Sequence, residues 1–231
     1  MHIGLIGGIG VAATVVYYQR LTAAVAARGG DLKLTISHGD IHTLIRNNLA
    51  DDRAPQADIF AAQINDLKGA GCDCVALTSL GAHYCVDEMN ALSSLPVISG
   101  VTPLDQFFVQ QGFNKVGLLG TRVVMRTRLY GQLAKTGAVA LDDEIEVLGQ
   151  TYQDIAVAGT CSETQRAELI DAGQRMVQDH GADAIVLAGT DLNLAFDGQD
   201  TGYKVVDALD VHVDVLADLA CGRTRLDEVA I

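Results

Sequence analysis

The sequence contains little proline and no long apolar run, and both absences limit what the chain can be. Its 231 residues include three prolines and no low-complexity stretch, so no obvious linker divides them. No apolar run approaches the roughly 18 residues that cross a bilayer, and residues 1–4 lack the zones of a signal peptide. We therefore expect a cytoplasmic protein that has no membrane partner.

Basic residues and paired cysteines are also scarce. The chain has 16 Lys and Arg residues against 29 Asp and Glu residues, which gives a formal net charge of −13. Because such a charge repels polyanions, we expect no nucleic-acid partner. The five cysteines are an odd number without the spacing of a disulfide framework, and cytoplasmic thiols stay reduced, so we expect no disulfide bonds.

Short β-branched segments alternate with longer amphipathic segments along the chain, which is typical of an α/β fold. The apolar share of 49% is enough to build a buried core. The first half has four predicted parallel strands, at residues 2–6, 33–37, 74–78 and 96–99. The predicted helices lie at residues 12–27, at residues 57–70 and from about Ala82 onward.

The strand series starts again near Val116, which indicates an internal duplication. Residues 4–7 and 117–120 share the pattern Gly-apolar-apolar-Gly at an offset of 113. The apolar residues 75–77 and 185–187 lie at the similar offset of 110. Coincidence is the alternative, because any two α/β units can have a glycine after an apolar strand.

These patterns predict an α/β fold of two pseudo-symmetric, doubly wound parallel-sheet lobes. The first lobe is expected at residues 1–100 and the second at residues 101–231, although the C-terminal helix could pack back on the first. Because no linker separates the halves, we expect them to pack closely with the active-site cleft between them.

Four loops are the expected binding positions, because ligands of open parallel sheets bind beyond the carboxyl ends of the strands. These loops lie at residues 7–13, 78–83, 120–128 and 189–194. Three of them are rich in Gly, Ser or Thr, whose backbone N–H groups and hydroxyls can bind an anion. A small carboxylate would suit them.

The first loop also allows a different interpretation. Residues 8–13 fit the dinucleotide fingerprint G-x-G-x-x-A between a predicted strand and a predicted helix, and Asp40 follows the second strand, where a ribose-binding acid would lie. A dinucleotide-binding protein is therefore an alternative. Against it, such glycine turns are common in doubly wound folds.

Polar residues of two further segments have both a functional and a structural interpretation. Ser79 and His83 are four residues apart, so one helical turn could pair them, or they could be a capping hydroxyl and a structural histidine. No G-x-S-x-G elbow is present, so we expect no hydrolase triad. His38, Asp40 and His42 alternate in one loop, but such spacing also arises by chance, and we expect no metal.

Arginines are conspicuous in an acidic chain. Arg53 and Arg122 could bind a carboxylate bidentately, or could form exposed ion pairs worth less than about 1 kcal/mol. For Arg126 and Arg128 the ion pairs are the preferred interpretation.

Four segments together resemble the aspartate/glutamate racemase family, and the resemblance spans the whole chain. They are residues 4–14, 79–83, 119–122 and 187–192. The first is the most specific, because G-L-I-G-G-I-G-V-A-A-T is close to the family's G-I-L-G-G-M-G-P-x-A-T, with Val11 where proline is usual. The resemblance implies a homodimer and a cofactor-independent isomerase, or a related lyase, that acts on a small carboxylate or amino acid without pyridoxal phosphate.

The family has a cysteine on each side of its substrate, in segments C-N-T-A-H and G-C-T-E-L, and this pair exchanges the Cα proton. Neither is present here: matching the histidine aligns Ser79 with the first cysteine, and matching T-E-L aligns Gly189 with the second. A serine hydroxyl is a far weaker acid than a thiol, and glycine has no side chain. The neighbouring thiols are expected in a buried strand or in a helix, so they are no substitute; they are Cys72, Cys74 and Cys85.

The resemblance and the loop positions together give a set of candidate residues. The candidates for proton transfer are Ser79, His83 and Asp191. The candidates for substrate binding are Gly8, Gly10, Arg53, Leu80, Gly81, Ala82, Thr121, Arg122, Gly189 and Thr190. A catalytically inactive homologue that binds a small carboxylate is the alternative, because the thiol pair is missing.

Overall fold

The computed structural model describes all residues from Met1 to Ile231 and divides them into two compact units. The first unit comprises Met1–Gly100 and His212–Ile231, and the second comprises Val101–Val211. Each unit contains one four-stranded parallel sheet flanked by helices. This architecture confirms the predicted α/β class.

The sheet of the first unit has the strand order β2-β1-β3-β4. Its strands are β1 (His2–Gly7), β2 (Lys33–His38), β3 (Cys74–Leu77) and β4 (Val97–Ile98). Its helices are α1 (Val11–Ala27), α2 (Ile41–Ala50), α3 (Arg53–Gly69) and α4 (Val86–Leu92). All four predicted strands are present, whereas α2 was not predicted. The segment after β3 begins as a 3-10 helix at Leu80–Cys85 and becomes α-helical only in α4.

Burial explains why these segments form the core of the first unit. Every residue of the central strands β1 and β3 is buried, which is typical of parallel strands covered on both faces. The buried residues of α1 recur every fourth position, so this helix covers the sheet with one apolar face. They are Ala13, Tyr17, Leu21 and Val25.

The sheet of the second unit has the strand order β6-β5-β7-β8. Its strands are β5 (Lys115–Gly120), β6 (Gly137–Val139), β7 (Ala184–Ala188) and β8 (Val205–Asp207). Its helices are α5 (Leu104–Gln110), α6 (Arg122–Thr127), α7 (Ile145–Ala158), α8 (Glu163–Gln178) and α9 (Asn193–Phe196). Short 3-10 segments precede α7 and α9, at Asp142–Glu144 and Thr190–Leu192.

The two units repeat the same topology, which confirms the predicted pseudo-symmetry. In each sheet the first strand pairs with the second and third, all in parallel. The third strand of each sheet leads directly into a 3-10 helix, at Leu80–Cys85 in the first unit and at Thr190–Leu192 in the second. Ser79 and Gly189 therefore follow equivalent strands, each within its own unit.

The C-terminal segment returns to the first unit. Two helices, α10 (Ala208–Ala220) and α11 (Leu226–Val229), end the chain. Ala230 forms an antiparallel bridge with Ile98 of β4, and Arg28 forms ion pairs of 2.7 and 2.8 Å with Asp214 and Asp218. None of the helices is both long enough and apolar enough to span a membrane.

Candidate functional site

The glycine-rich loop after β1 is closed by its own hydrogen bonds. The N–H of Gly8 donates to Oγ1 of Thr14 at 2.8 Å, and the Thr14 hydroxyl donates to the carbonyl of Gly10 at 2.8 Å. Gly8 and Gly10 have φ values of 77° and 140°, which favour glycine. A Cβ on Gly8 would lie 2.4 Å from Nδ1 of His38. The conformation and tight packing of the loop therefore account for both glycines.

Asp40 serves as the N-cap of α2. Its carboxylate accepts hydrogen bonds from the N–H groups of Thr43 at 2.9 Å and His42 at 3.4 Å. Hydrogen bonds from Thr43 lower the pKa of Asp40. Because the helix terminus already engages this carboxylate, the geometry does not favour a ribose-binding role. No group of three or more His, Cys, Asp or Glu side chains could hold a metal ion.

Ser79 and His83 lie together at the carboxyl end of β3, and their contact is through the backbone. Nδ1 of His83 is 3.0 Å from the carbonyl oxygen of Ser79, and Nε2 accepts the N–H of Gly100 at 3.1 Å. These two bonds place the imidazole hydrogen on Nδ1. Burial lowers the pKa of His83 to about 4, so the ring is neutral near pH 7. Neither nitrogen of His83 is bonded to the Ser79 hydroxyl.

The three residues between Ser79 and His83 are buried in the 3-10 helix. The carbonyl of Gly81 accepts a hydrogen bond of 3.1 Å from Nδ2 of Asn48 on α2. Leu80 and Ala82 are apolar and Gly81 has no side chain, so none of the three side chains can form a hydrogen bond. Any polar contact of a ligand with these residues would have to use their backbone.

The two candidate arginines are held by side chains of their own unit. Nε of Arg53 lies 2.8 Å from Oδ1 of Asp51, and its side chain is 47% exposed. The side chain of Arg122 is only 13% exposed, and α7 supplies its acceptors. These acceptors are Glu146 at 3.2 Å, Gln150 at 2.6 Å and Gln153 at 3.0 Å. The neighbouring Thr121 caps α6 through a bond of 3.3 Å from the N–H of Val124.

Asp191 occupies an unusual environment for a charged residue. It follows β7 in the 3-10 segment Thr190–Leu192 and has 1% of its surface exposed. Of the 29 acidic residues in the chain, it is the only one that is buried. Burying a carboxylate is costly unless it is hydrogen-bonded, and such groups are concentrated at functional sites. Asp191 is therefore the strongest candidate in the second unit.

Tyr152 of α7 fills the space beside Gly189. A Cβ on Gly189 would lie 2.3 Å from Cε2 and 2.7 Å from Cζ of Tyr152, which is closer than real atoms approach. The hydroxyl of Tyr152 donates a hydrogen bond of 3.3 Å to Oδ2 of Asp191. Burial, together with the negative charge of Asp191, raises the pKa of Tyr152 well above its ordinary value, so the phenol stays neutral. The structure thus joins Gly189 and Asp191 to a residue that sequence reasoning missed.

One sequence signal could have pointed to Tyr152. The buried positions of α7 include Leu148, Tyr152 and Ile155, at the spacing of an apolar helix face. A buried glycine leaves a space that a side chain of a neighbouring element can fill. An aromatic residue on a buried helix face is one such residue, but the pattern does not reveal which helix lies against Gly189.

The cysteines show no sign of an activated thiol. Burial raises the pKa of Cys74 and that of Cys85 to about 12, and it also raises those of Cys72 and Cys161. A thiol with such a pKa is protonated near neutral pH and is a poor base. The buried cysteines therefore behave as small apolar residues, as predicted for Cys72 and Cys74.

Comparisons with known proteins extend over nearly the whole chain. A family model described as Asp/Glu/Hydantoin racemase matches residues 6–216. The crystal structure of a candidate Asp/Glu racemase from Yersinia pestis is 26% identical, with a TM-score of 0.79, and the match covers 96% of this chain and 100% of that one.

Two further solved structures share the fold at lower identity. An aspartate racemase homologue from Pyrococcus horikoshii OT3 is 21% identical, with a TM-score of 0.76 and coverage of 95% of this chain and 99% of that one. A glutamate racemase from Francisella tularensis in complex with D-glutamate is 13% identical, with a TM-score of 0.65 and coverage of 96% and 81%. The matches confirm the predicted resemblance.

Proposed function

Because the chain belongs to the Asp/Glu/Hydantoin racemase family, we propose that it is a cofactor-independent isomerase, or a related lyase, that acts on a small carboxylate or amino acid. One observation carries the proposal. The only buried carboxylate of the chain, Asp191, lies beyond the carboxyl end of β7, two residues after Gly189, which the resemblance aligns with the second family cysteine. Strand ends of this kind are where open parallel sheets bind ligands.

Asp191 is the proposed proton acceptor of the second unit. A carboxylate held in a dry environment can remove a proton from the carbon next to a carboxylate or carbonyl group. The hydrogen bond from Tyr152 fixes the orientation of Oδ2. This chemistry requires no thiol at position 189, which is consistent with glycine there.

The first unit has different roles in this proposal. His83 is a positioning residue, since its two ring nitrogens hold the carbonyl of Ser79 and the N–H of Gly100. Ser79 provides a hydroxyl that can donate a hydrogen bond to the substrate but is too weak an acid to form an alkoxide near neutral pH. Direct proton transfer by Ser79 or His83 stays a prediction, as do the other substrate contacts.

Acidic amino acids are the first substrates to test. The Francisella tularensis racemase was solved with D-glutamate, and the family description includes aspartate, glutamate and hydantoins. The homodimer and the cytoplasmic location stay predictions from the family resemblance and from the composition.

Proton exchange tests the proposed activity directly. Incubation with L- or D-aspartate and L- or D-glutamate in deuterated water should remove the Cα–H signal from the proton NMR spectrum. Asp191→Asn should slow this loss by about 100-fold or more, because a positioned acid–base group contributes about that factor. Asp143→Asn is the matched control, since Asp143 is exposed. If the wild-type protein exchanges the Cα proton of no member of a panel of small carboxylates, the proposed activity is wrong.

A catalytically inactive binding protein is the second candidate. It is favoured by the engagement of both His83 nitrogens and by the raised pKa values of the buried thiols. Such a protein would show a ligand-dependent rise in Tm, worth about 2.7 kcal/mol at a ligand concentration of 100 Kd, without Cα exchange. A rise with NAD alone would instead support dinucleotide binding, which the capping role of Asp40 does not favour.

A further inference from the structure

The ring of Tyr152 occupies the side-chain direction of residue 189. Cε2, Cζ and Cδ2 of this ring lie 2.3, 2.7 and 2.8 Å from the position of a Cβ on Gly189. Cζ carries the phenol oxygen, so the edge of the ring that leads to the hydroxyl lies beside Gly189. Gly189 and Tyr152 therefore share one volume, which only one side chain can fill.

The phenol oxygen of Tyr152 is also part of a buried hydrogen-bonded group. Its hydroxyl donates to Oδ2 of Asp191 at 3.3 Å, and Thr190 precedes Asp191 in the same buried 3-10 segment. All three residues are buried. Hydrogen bonds of catalytic groups are often long without a substrate and shorten when it binds, so 3.3 Å is compatible with proton transfer.

We propose that Tyr152 is a catalytic residue that takes the place of the absent side chain at position 189 and relays the substrate proton to Asp191. This inference rests on the proposed function and names the atom that meets the substrate. Asp191 is then the final proton acceptor, and it acts through the phenol.

The relay conserves atoms and charge. The Cα–H bond of the substrate breaks, and its electron pair stays on the substrate as an enolate. The released proton bonds to the phenol oxygen of Tyr152, while the original phenol hydrogen moves to Oδ2 of Asp191. Tyr152 therefore ends the step neutral, and Asp191 ends it as a carboxylic acid. The reverse movement returns a proton to Cα.

The surroundings of Tyr152 favour this coupled movement over a phenolate. Burial and the negative charge of Asp191 both disfavour loss of the phenol proton alone. If the proton passes to Asp191 in the same step, no second negative charge forms beside the carboxylate. In this proposal Asp191 supplies the basicity, and Tyr152 supplies the oxygen atom that contacts the substrate.

A buried acceptor close by in the chain points to a ligand that carries a hydrogen-bond donor. Asn193 lies two residues after Asp191 and is 4% exposed. Its side-chain oxygen is buried and has no hydrogen-bond partner in the chain. An unsatisfied buried acceptor costs about 1–3 kcal/mol, which a donor such as the ammonium group of an amino acid would remove.

Two sets of variants test the relay. Tyr152→Phe keeps the ring and removes only the hydroxyl, so Cα exchange should fall by about 100-fold or more while the protein stays folded with a lower Tm, because Asp191 loses a hydrogen-bond donor. Tyr152→Phe combined with Asp191→Asn should be no slower than the slower single variant, because residues of one relay act as a unit. Tyr152→Ala with Gly189→Cys exchanges the phenol for a thiol, and Cα exchange should recover with a rate that rises with pH, because the thiolate is the base.

The possible results separate the relay from the activity itself. Wild-type exchange that Tyr152→Phe leaves unchanged, and that Asp191→Asn abolishes, overturns the relay and retains the proposed function. Additive losses in the double variant also overturn it, because they indicate independent roles. A wild-type protein that exchanges no Cα proton overturns both proposals. Circular dichroism and thermal melting of each variant exclude unfolding as the cause of a loss.

Discussion

The imidazole of His83 accepts a hydrogen bond of 3.1 Å from the N–H of Gly100, which lies just beyond β4. Its other nitrogen is 3.0 Å from the carbonyl of Ser79, just beyond β3. One buried ring thus joins the ends of two neighbouring strands. Because the strand ends form the predicted binding edge, this relationship shapes the segment that carries Ser79.

Removal of the His83 ring should weaken the first unit. His83→Ala would leave the Gly100 N–H without its partner, and an unsatisfied buried group costs about 1–3 kcal/mol. The Ser79 carbonyl would keep a hydrogen bond of 3.3 Å from the N–H of Ala82. We expect urea denaturation to show a loss of that order in the free energy of unfolding. His42→Ala is the control, since His42 is exposed on α2, and its effect should stay within about 0.5 kcal/mol. Equal stability of the two variants would contradict the bridging role.

Two buried histidines should make the protein sensitive to acid. Burial lowers the pKa of His83 to about 4 and that of His212 to about 3, from an ordinary 6.5. Between these values the unfolded chain binds protons that the folded chain does not, so stability falls as the pH decreases from about 6.5. The full effect of His83 alone is about 3 kcal/mol.

The pH dependence can be assigned to His83 by comparison. Urea midpoints of the wild type and of His83→Gln, measured between pH 7 and pH 4, should diverge in slope, with the smaller decline in the variant. If the urea midpoints of the two proteins fall in parallel with pH, the neutral state of His83 does not contribute to the loss of stability in acid.

A side chain at position 189 should destabilise the protein while Tyr152 is present. Gly189→Ala would place a Cβ 2.3 Å from the ring, and such overpacking costs about 1–3 kcal/mol. Combining it with Tyr152→Ala should remove the steric part of that cost, which a double-mutant cycle measures. Gly69→Ala is the control, because nothing lies within 4 Å of a Cβ there. Additive single effects would show that the two positions do not share a volume.

Exchange of the Cα proton should be faster than inversion at Cα. Inversion needs a second proton-transfer group, and the candidates in the first unit are Ser79, whose hydroxyl is a weak acid, and His83, both of whose ring nitrogens are hydrogen-bonded. Deuterium incorporation by NMR should therefore exceed the change in optical rotation for at least one enantiomer. If exchange and inversion proceed at equal rates for both enantiomers, the protein has a second effective acid or base.

The strands of the first unit were the part of the fold that the sequence predicted best. The four strands of the first unit lie within one or two residues of their predicted positions, because apolar β-branched runs bounded by turns are local signals. The helix α2 was not predicted, and its cap, Asp40, had been interpreted as a candidate ribose-binding acid. Both roles use a carboxylate just after a strand, so the sequence could not separate them.

The predicted contact between Ser79 and His83 shows the same limit at the site. Their spacing indicated proximity, and the structure brings them together, but through the carbonyl of Ser79 rather than its hydroxyl. The orientation of the imidazole depends on Gly100, whose N–H donates a hydrogen bond to the second ring nitrogen. A residue beyond the next strand therefore decides the orientation of the imidazole.

The sequence by itself determined the α/β class, the repeated strand pattern and the family resemblance. These features depend on residue type and short-range spacing, which can be read along the chain. Only the tertiary structure decided that Tyr152 fills the space at Gly189 and donates to Asp191, which is 39 residues away. That contact depends on how α7 packs against the end of β7, and no local pattern encodes the packing of distant elements.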